Sequence, residues 1–128
     1  MSKNKYKILV IDDDSQTRQM IGQFLAFSGY ETMTAREGKE ALELYEGERA
    51  AGRPFHAVTL DLEMPFGMGG AETMKKLLEA DSTVKVVVCS ADSTNPIMEK
   101  PKQFGFVAAL AKPFSGKDLI RILKTFLD

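Results

Sequence analysis

The chain of 128 residues predicts an α/β fold, a parallel sheet covered by helices on both faces. Three observations carry this expectation. Short apolar runs of strand length recur along the chain, and the main ones are too continuous for a sheet with one wet face. Each run is followed by a segment whose apolar residues repeat at helical spacing. The two kinds of segment alternate strictly through five strand–helix units, with no linker, repeat or low-complexity tract between them, the pattern of βα units stacked into one sheet.

The first unit opens with YKILVI at 6–11, a buried strand, and Ser15 is placed to cap the helix that follows. In that helix Ile21, Phe24, Leu25 and Ser28 make one stripe, ending at Gly29. YETMTA at 30–35 alternates like a less buried strand, and Gly38 opens a helix over 38–50 with Ala41, Leu44 and Tyr45 inward. After Gly52 and Pro54, HAVTLDL at 56–62 reads as a second central strand, again ending in an acid. Residues 69–81 read as a helix with Met74, Leu77 and Leu78 on one side. VKVVVCSA at 84–91 is the most β-branched run, and 95–106 is a weak helix because Pro101 removes a donor and disfavours helix at Lys100. VAALA at 107–111 is the fifth strand, and the last helix aligns Leu119, Ile122, Leu123 and Phe126.

Composition narrows the function classes. A chain of this length is expected to form one domain, 1–128, burying roughly two-thirds of its unfolded surface. Hydrophobic residues at 44% and charged residues at 27% are ordinary for a soluble globule. A net charge of -1 gives no reason to expect nucleic acid or an anionic membrane as a partner. Cys89 is the lone cysteine, so no disulfide framework exists, which fits a reducing cytoplasm; within KVVVCSA it reads as a small buried thiol. No apolar run reaches a membrane span, and MSKNKYK lacks the apolar core of a signal peptide.

In parallel sheets of this kind the ligand site lies beyond the carboxyl ends of the strands, near the point where strand order reverses. The residues there are Asp12, Asp13 and Asp14 after the first strand, Asp61 after the third, Ser90 after the fourth and Lys112 after the fifth. Adjacent carboxylates repel, by about 1 kcal/mol per close pair in water and several-fold more at lower dielectric, so something must offset them. Clustered carboxylate oxygens suit a hard divalent cation, and Mg2+ takes a few carboxylates plus waters and phosphate oxygens. A lysine beside them balances charge and can hold a phosphoryl oxygen. An aspartate so placed can act as a nucleophile that accepts a phosphoryl group.

Taken together and in order, VIDDD, TLDLEMP, VVVCSAD and LAKPF resemble the receiver domain of two-component response regulators, over essentially the whole chain. The resemblance implies a flavodoxin-like sheet of order 2-1-3-4-5 that accepts a phosphoryl group from a phosphohistidine and changes conformation to alter partner binding. By the same resemblance Asp61 is the phosphoacceptor, Asp12 and Asp13 are the acidic pair holding Mg2+, and the Glu63 carbonyl completes the protein's share of the metal site. Ser90 takes the place of the switch hydroxyl and Lys112 that of the family's lysine, with a Lys112–Pro113 bond that is often cis. Asp14 has no fixed role there and reads as a solvated acid or a helix cap. The implied partners are a sensor histidine kinase or histidine phosphotransfer protein and an output protein the sequence does not name. Self-catalysed phosphoryl transfer and dephosphorylation would be the only chemistry.

Three departures bear on the output. Ala109 stands where many receivers carry an aromatic, the loop after Pro65 reads FGMGGAE as in receivers of hybrid sensor kinases, and Pro101 interrupts the fourth helix. His56 has no spaced partner and reads as a surface or strand-edge residue, and Met64, Met68, Met74 and Met98 read as packing. The glycines at 67, 69 and 70 do not open the first helix, so they are no dinucleotide fingerprint, and the acidic first loop would repel a pyrophosphate or a flavin phosphate.

Two other functions use similar residues. Haloacid-dehalogenase-type phosphatases also use a Mg2+-bound aspartate, with a second acid two residues on. Asp12 and Asp14 meet that spacing, but nothing else in the chain supports it. A phosphorylation-independent docking module usually lacks the acceptor or the lysine, and both are here.

Overall fold

The computed structural model describes residues 6–127 and follows the expected order of elements. Strand β1 (Lys7–Ile11) leads to helix α1 (Ser15–Phe27), β2 (Glu31–Ala35) to α2 (Gly38–Ala50), and β3 (Ala57–Asp61) to α3 (Gly70–Ala80). Strand β4 (Val86–Ser90) is followed by the short α4 (Pro96–Glu99), and β5 (Ala108–Ala111) by α5 (Gly116–Leu127). The sheet is parallel throughout, in the order β2-β1-β3-β4-β5. The single-domain span 1–128 extends past the described residues at both ends.

Alternation along the strands divides the core into two layers. Leu9 and Ile11 of β1 join Val58, Leu60, Val86 and Val88 on one face, covered by Ala41 and Tyr45 of α2 and by Met74 and Leu77 of α3. Ile8 and Val10 join Val87, Cys89 and Leu110 on the other, covered by Ile21 and Leu25 of α1 and by Leu119 and Leu123 of α5. The central strands β1, β3 and β4 are buried along their whole length, which is why their sequences are continuous rather than alternating. At the edge, β2 buries only Ala35 fully.

Several expectations are refined. Ser15 does not cap α1; Asp14 does, accepting from the Thr17 N–H at 2.9 Å. Ser15 is already the first helical residue, and an aspartate one position earlier offers a charged acceptor to the helix N-terminus. Leu44, Leu78, Ile122 and Phe126 are part-buried rather than enclosed, because each lies at the margin of its helix's apolar stripe. The weak helix over 95–106 breaks in two, α4 and a separate 3-10 turn at Pro101–Phe104. Lys100 between them has φ -135° and ψ 66°, outside the helical region, as the residue before a proline prefers. Pro101 then starts the turn, where its missing N–H costs nothing.

The glycine at position 70 has a packing cause. A Cβ there would lie 2.7 Å from Leu62 Cα and from the Leu62 carbonyl oxygen, so only glycine lets α3 begin against the end of β3. At the opposite end of the sheet Lys7 is buried, its ammonium bound by Glu48 and by the Arg53 carbonyl oxygen and lying 4.6 Å above the Phe55 ring. His56 occupies that edge, accepting from the Lys7 N–H through Nδ1 at 2.9 Å and packing edge-on to Tyr6. These contacts give it the strand-edge role expected of it.

Candidate functional site

The switch in strand order between β1 and β3 brings the acids of both strand ends together. One carboxylate oxygen each from Asp12, Asp13 and Asp61 lies within 4.8 Å of the other two. The Asp12–Asp13–Asp14 run divides its labour. Asp12 continues the strand direction, its N–H donating to the Ala35 carbonyl at 3.1 Å, and its side chain is 3% exposed. Its Oδ1 accepts the Asp14 N–H at 2.9 Å, which turns the chain toward α1. Asp13 is exposed at the mouth. Asp14 faces away to cap the helix, and its Thr17 hydrogen bonds hold its carboxyl below the usual range.

Asp61, the last residue of β3, is 4% exposed. Its Oδ1 accepts the Glu63 N–H at 3.2 Å and lies 3.3 Å from Lys112 Nζ. Burial, and then the charge of Asp12, push its pKa up to about 6, against the pull of Lys112. Lys112 is delivered by the end of β5, where its N–H donates to the Ser90 carbonyl at 2.8 Å before a cis Lys112–Pro113 bond. Its ammonium reaches Asp12 Oδ2 at 3.0 Å. Burial works against its charge, but the Asp12 and Asp61 carboxylates outweigh that and raise its pKa. It therefore stays a cation.

On the far side of Asp61, β4 contributes Ser90, fully buried. The Ser90 hydroxyl donates to Glu63 Oε2 at 2.5 Å and accepts the Asp92 N–H at 2.9 Å. The Ala91 N–H points to Glu63 Oε1 at 3.4 Å. The sequence offered Glu63 only as a backbone carbonyl. The missed signal was spacing, since a glutamate two residues past a strand-end aspartate can reach across to the next strand end. Arg18 was missed as well; its guanidinium donates to the Asp12 carbonyl at 2.7 Å and steadies the acidic turn.

Three carboxylates against one ammonium leave excess negative charge around hard oxygen donors, a set that fits a divalent cation of the Mg2+ kind. Cys89 lies beneath, and burial pushes its thiol up to about 12, so it is an inert packing residue.

Fold and site together define a phosphoacceptor regulatory module, and residues 8–124 match the response regulator receiver domain. The chain belongs to that family and is a receiver of two-component phosphorelay signalling, a class that works by contact with kinases and output proteins and typically binds Mg2+ at an acidic pocket. Among its relatives, sporulation initiation phosphotransferase F of Bacillus subtilis is 29% identical over 94% of this chain and 93% of its own. Chemotaxis protein CheY of Treponema pallidum is 32% identical over 95% of this chain and 83% of its own. The CheX–CheY–beryllofluoride–magnesium complex from Borrelia burgdorferi contains a chain with a TM-score of 0.84 and 26% identity, covering 96% of this chain and 90% of that one. Among the described residues no helix is long and apolar enough to cross a membrane.

Proposed function

We propose that Asp61 is the phosphoacceptor, and that the domain spans the chain as a single receiver. One observation carries the reading: a buried strand-end carboxylate with a raised pKa lies between an acidic cluster, a lysine and a buried hydroxyl. Among the described residues both donors to Asp61 fall on Oδ1, which leaves Oδ2 to attack. In the transfer, Oδ2 bonds to the phosphorus of a phosphohistidine, the P–N bond breaks, and the imidazole nitrogen leaves with the electron pair. Water later attacks the acyl phosphate and returns the carboxylate and inorganic phosphate.

Asp12, Asp13, Asp61 and the Glu63 carbonyl would hold Mg2+, which supplies charge neutralisation to the phosphoryl oxygens. Lys112 binds one of those oxygens from the opposite side, and Ser90 donates to another. The donor is the phosphohistidine of a sensor kinase or histidine phosphotransfer protein. The relative named a phosphotransferase and the one captured with beryllofluoride and magnesium support this. Self-catalysed transfer and hydrolysis are its only chemistry, and a cytoplasmic setting suits a buried free thiol.

Incubation with acetyl phosphate and Mg2+ should add one phosphoryl group by intact mass, and Asp61→Asn should abolish it. Undiminished labelling of Asp61→Asn would overturn the assignment.

A further inference from the structure

A phosphoryl group on Asp61 brings three strong acceptor oxygens that need donors. On the β4 side the available donors are the Ser90 hydroxyl and the Ala91 N–H, and in this structure the Glu63 carboxylate holds both, Oε2 on Ser90 and Oε1 on Ala91. An anion is already seated where a second anion must bind.

We propose that the Glu63 side chain is an internal latch that competes with the phosphoryl group for Ser90 and Ala91, so that activation is an exchange of one anion for another. This rests on the phosphoacceptor reading of Asp61 and adds a positioning residue to it. Glu63 is suited to the part. Its own N–H is tied to Asp61 Oδ1, so its backbone stays at the site while its side chain is free to leave. The residue is otherwise exposed, so a displaced carboxylate enters water rather than a packed core. Like charges at this range also repel, so the two anions cannot share the donors at no cost.

The exchange has a path outward. Ser90 Oγ, which donates to Glu63, also accepts the Asp92 N–H, and Asp92 in turn accepts from Thr94 N–H and its hydroxyl at 3.1 and 2.6 Å. Reorienting the Ser90 hydroxyl from Glu63 to a phosphoryl oxygen therefore acts on the turn that precedes α4. Release of Glu63 and adjustment of residues 91–95 are two ends of one event.

The test uses Mg2+ and beryllofluoride, followed by amide NMR of the wild type, Glu63→Ala, Glu63→Gln, Ser90→Ala and the Glu63→Ala/Ser90→Ala double variant. In the free protein, Glu63→Ala should move the Ala91 amide proton upfield, because a bond to a carboxylate is lost. Half-saturation by beryllofluoride should fall roughly three- to tenfold in Glu63→Ala, the amount that about one net hydrogen bond supplies. Glu63→Gln keeps an acceptor for Ser90 but loses the charge, so it should lie between Ala and the wild type. In the Ser90→Ala background the gain should shrink, which separates a latch from general charge repulsion. An unmoved Ala91 signal, equal affinities, or the same gain with and without Ser90 would each overturn the latch while leaving Asp61 as acceptor. Failure of wild type and Glu63→Ala alike to show any Mg2+-dependent saturation would overturn the phosphoacceptor reading, and the latch with it.

Discussion

The Lys112 ammonium stands 3.3 Å from Asp61 Oδ1, the same oxygen that accepts the Glu63 N–H. One carboxylate oxygen is thus held by a side-chain cation and a backbone donor, which orients the group and exposes the other oxygen. The acid is enclosed, with Asp61 at 4% exposure, while the Lys112 side chain is part-exposed, so solvent screens the interaction only in part.

Removing that cation leaves the acceptor in place but strips its charge partner. Lys112→Ala should still be labelled by acetyl phosphate on Asp61, at a rate lower by roughly one to two orders of magnitude, as loss of a charge-assisted bond implies. Because Lys112 lowers the Asp61 pKa, the pH dependence of labelling should also move to higher pH. Time-resolved intact-mass spectra check both, and an unchanged rate would remove Lys112 from the chemistry.

Asp61 itself costs stability. Its pKa rises from an ordinary 3.8 to about 6, so between those values the folded state binds more protons than the unfolded one. Stability from this group therefore falls as pH rises through that window, and the full cost persists above it. In EDTA at pH 7.5, Asp61→Asn should be more stable than the wild type by on the order of 1–3 kcal/mol in urea unfolding. The difference should close as the pH is lowered toward 4, because the wild-type carboxyl is then protonated too. A variant less stable than the wild type at pH 7.5 would contradict the desolvation account.

Mg2+ should relieve the same crowding. Few protein ligands and several retained waters imply roughly millimolar affinity, so millimolar Mg2+ should raise the wild-type unfolding midpoint by mass action. Asp13→Asn removes a charged, accessible ligand and should weaken binding severalfold in a titration followed by amide shifts. Titration without response near residues 12, 13 and 61 would count against the site.

Asp14 should behave differently from its neighbours. Asp14→Ala removes the acceptor for the Thr17 N–H and hydroxyl and should lower the urea midpoint, while Asp14→Ser restores most of it. Mg2+ affinity should stay within about twofold of wild type in both, since the side chain faces the helix. A large loss of Mg2+ binding would place Asp14 in the metal site instead.

The route outward from the site should avoid β5. Ala109, beside Val88 in the sheet, has no ring to move, whereas α4 is a single turn separated from the 3-10 turn by the non-helical Lys100. Few internal hydrogen bonds oppose rearrangement there. With Mg2+ and beryllofluoride, the largest amide shifts beyond the site should fall in residues 91–106. Larger changes around Ala109 or in α5 would redirect the path.

Strand and helix positions were readable because periodicity is a local property. The runs at 6–11 and 56–62 read as central strands, and Leu119 and Leu123 fall on one helical stripe that faces the core. Strand ends were readable for the same reason, and with them the members of the acidic cluster. The sequence offers both Ser15 and Asp14 as caps of α1, and the structure selects Asp14, because both are good caps and the choice depends on where the backbone leaves the strand. The break at Lys100 appeared in the sequence as weakness and in the structure as two separate turns.

The order of residues thus carried the fold class, the strand order through family resemblance, and the identities of Asp12, Asp13, Asp61, Ser90 and Lys112. Side-chain direction was beyond its reach. Nothing in LEMP says that the Glu63 carboxylate crosses to Ser90, or that Lys112 spans from β5 to both Asp12 and Asp61. Those contacts join residues as many as 100 positions apart and depend on how neighbouring strand ends stand in register. Register and burial are cooperative outcomes of packing two helical layers on one sheet, and they raise the Asp61 pKa through desolvation, which has no counterpart in the unfolded chain.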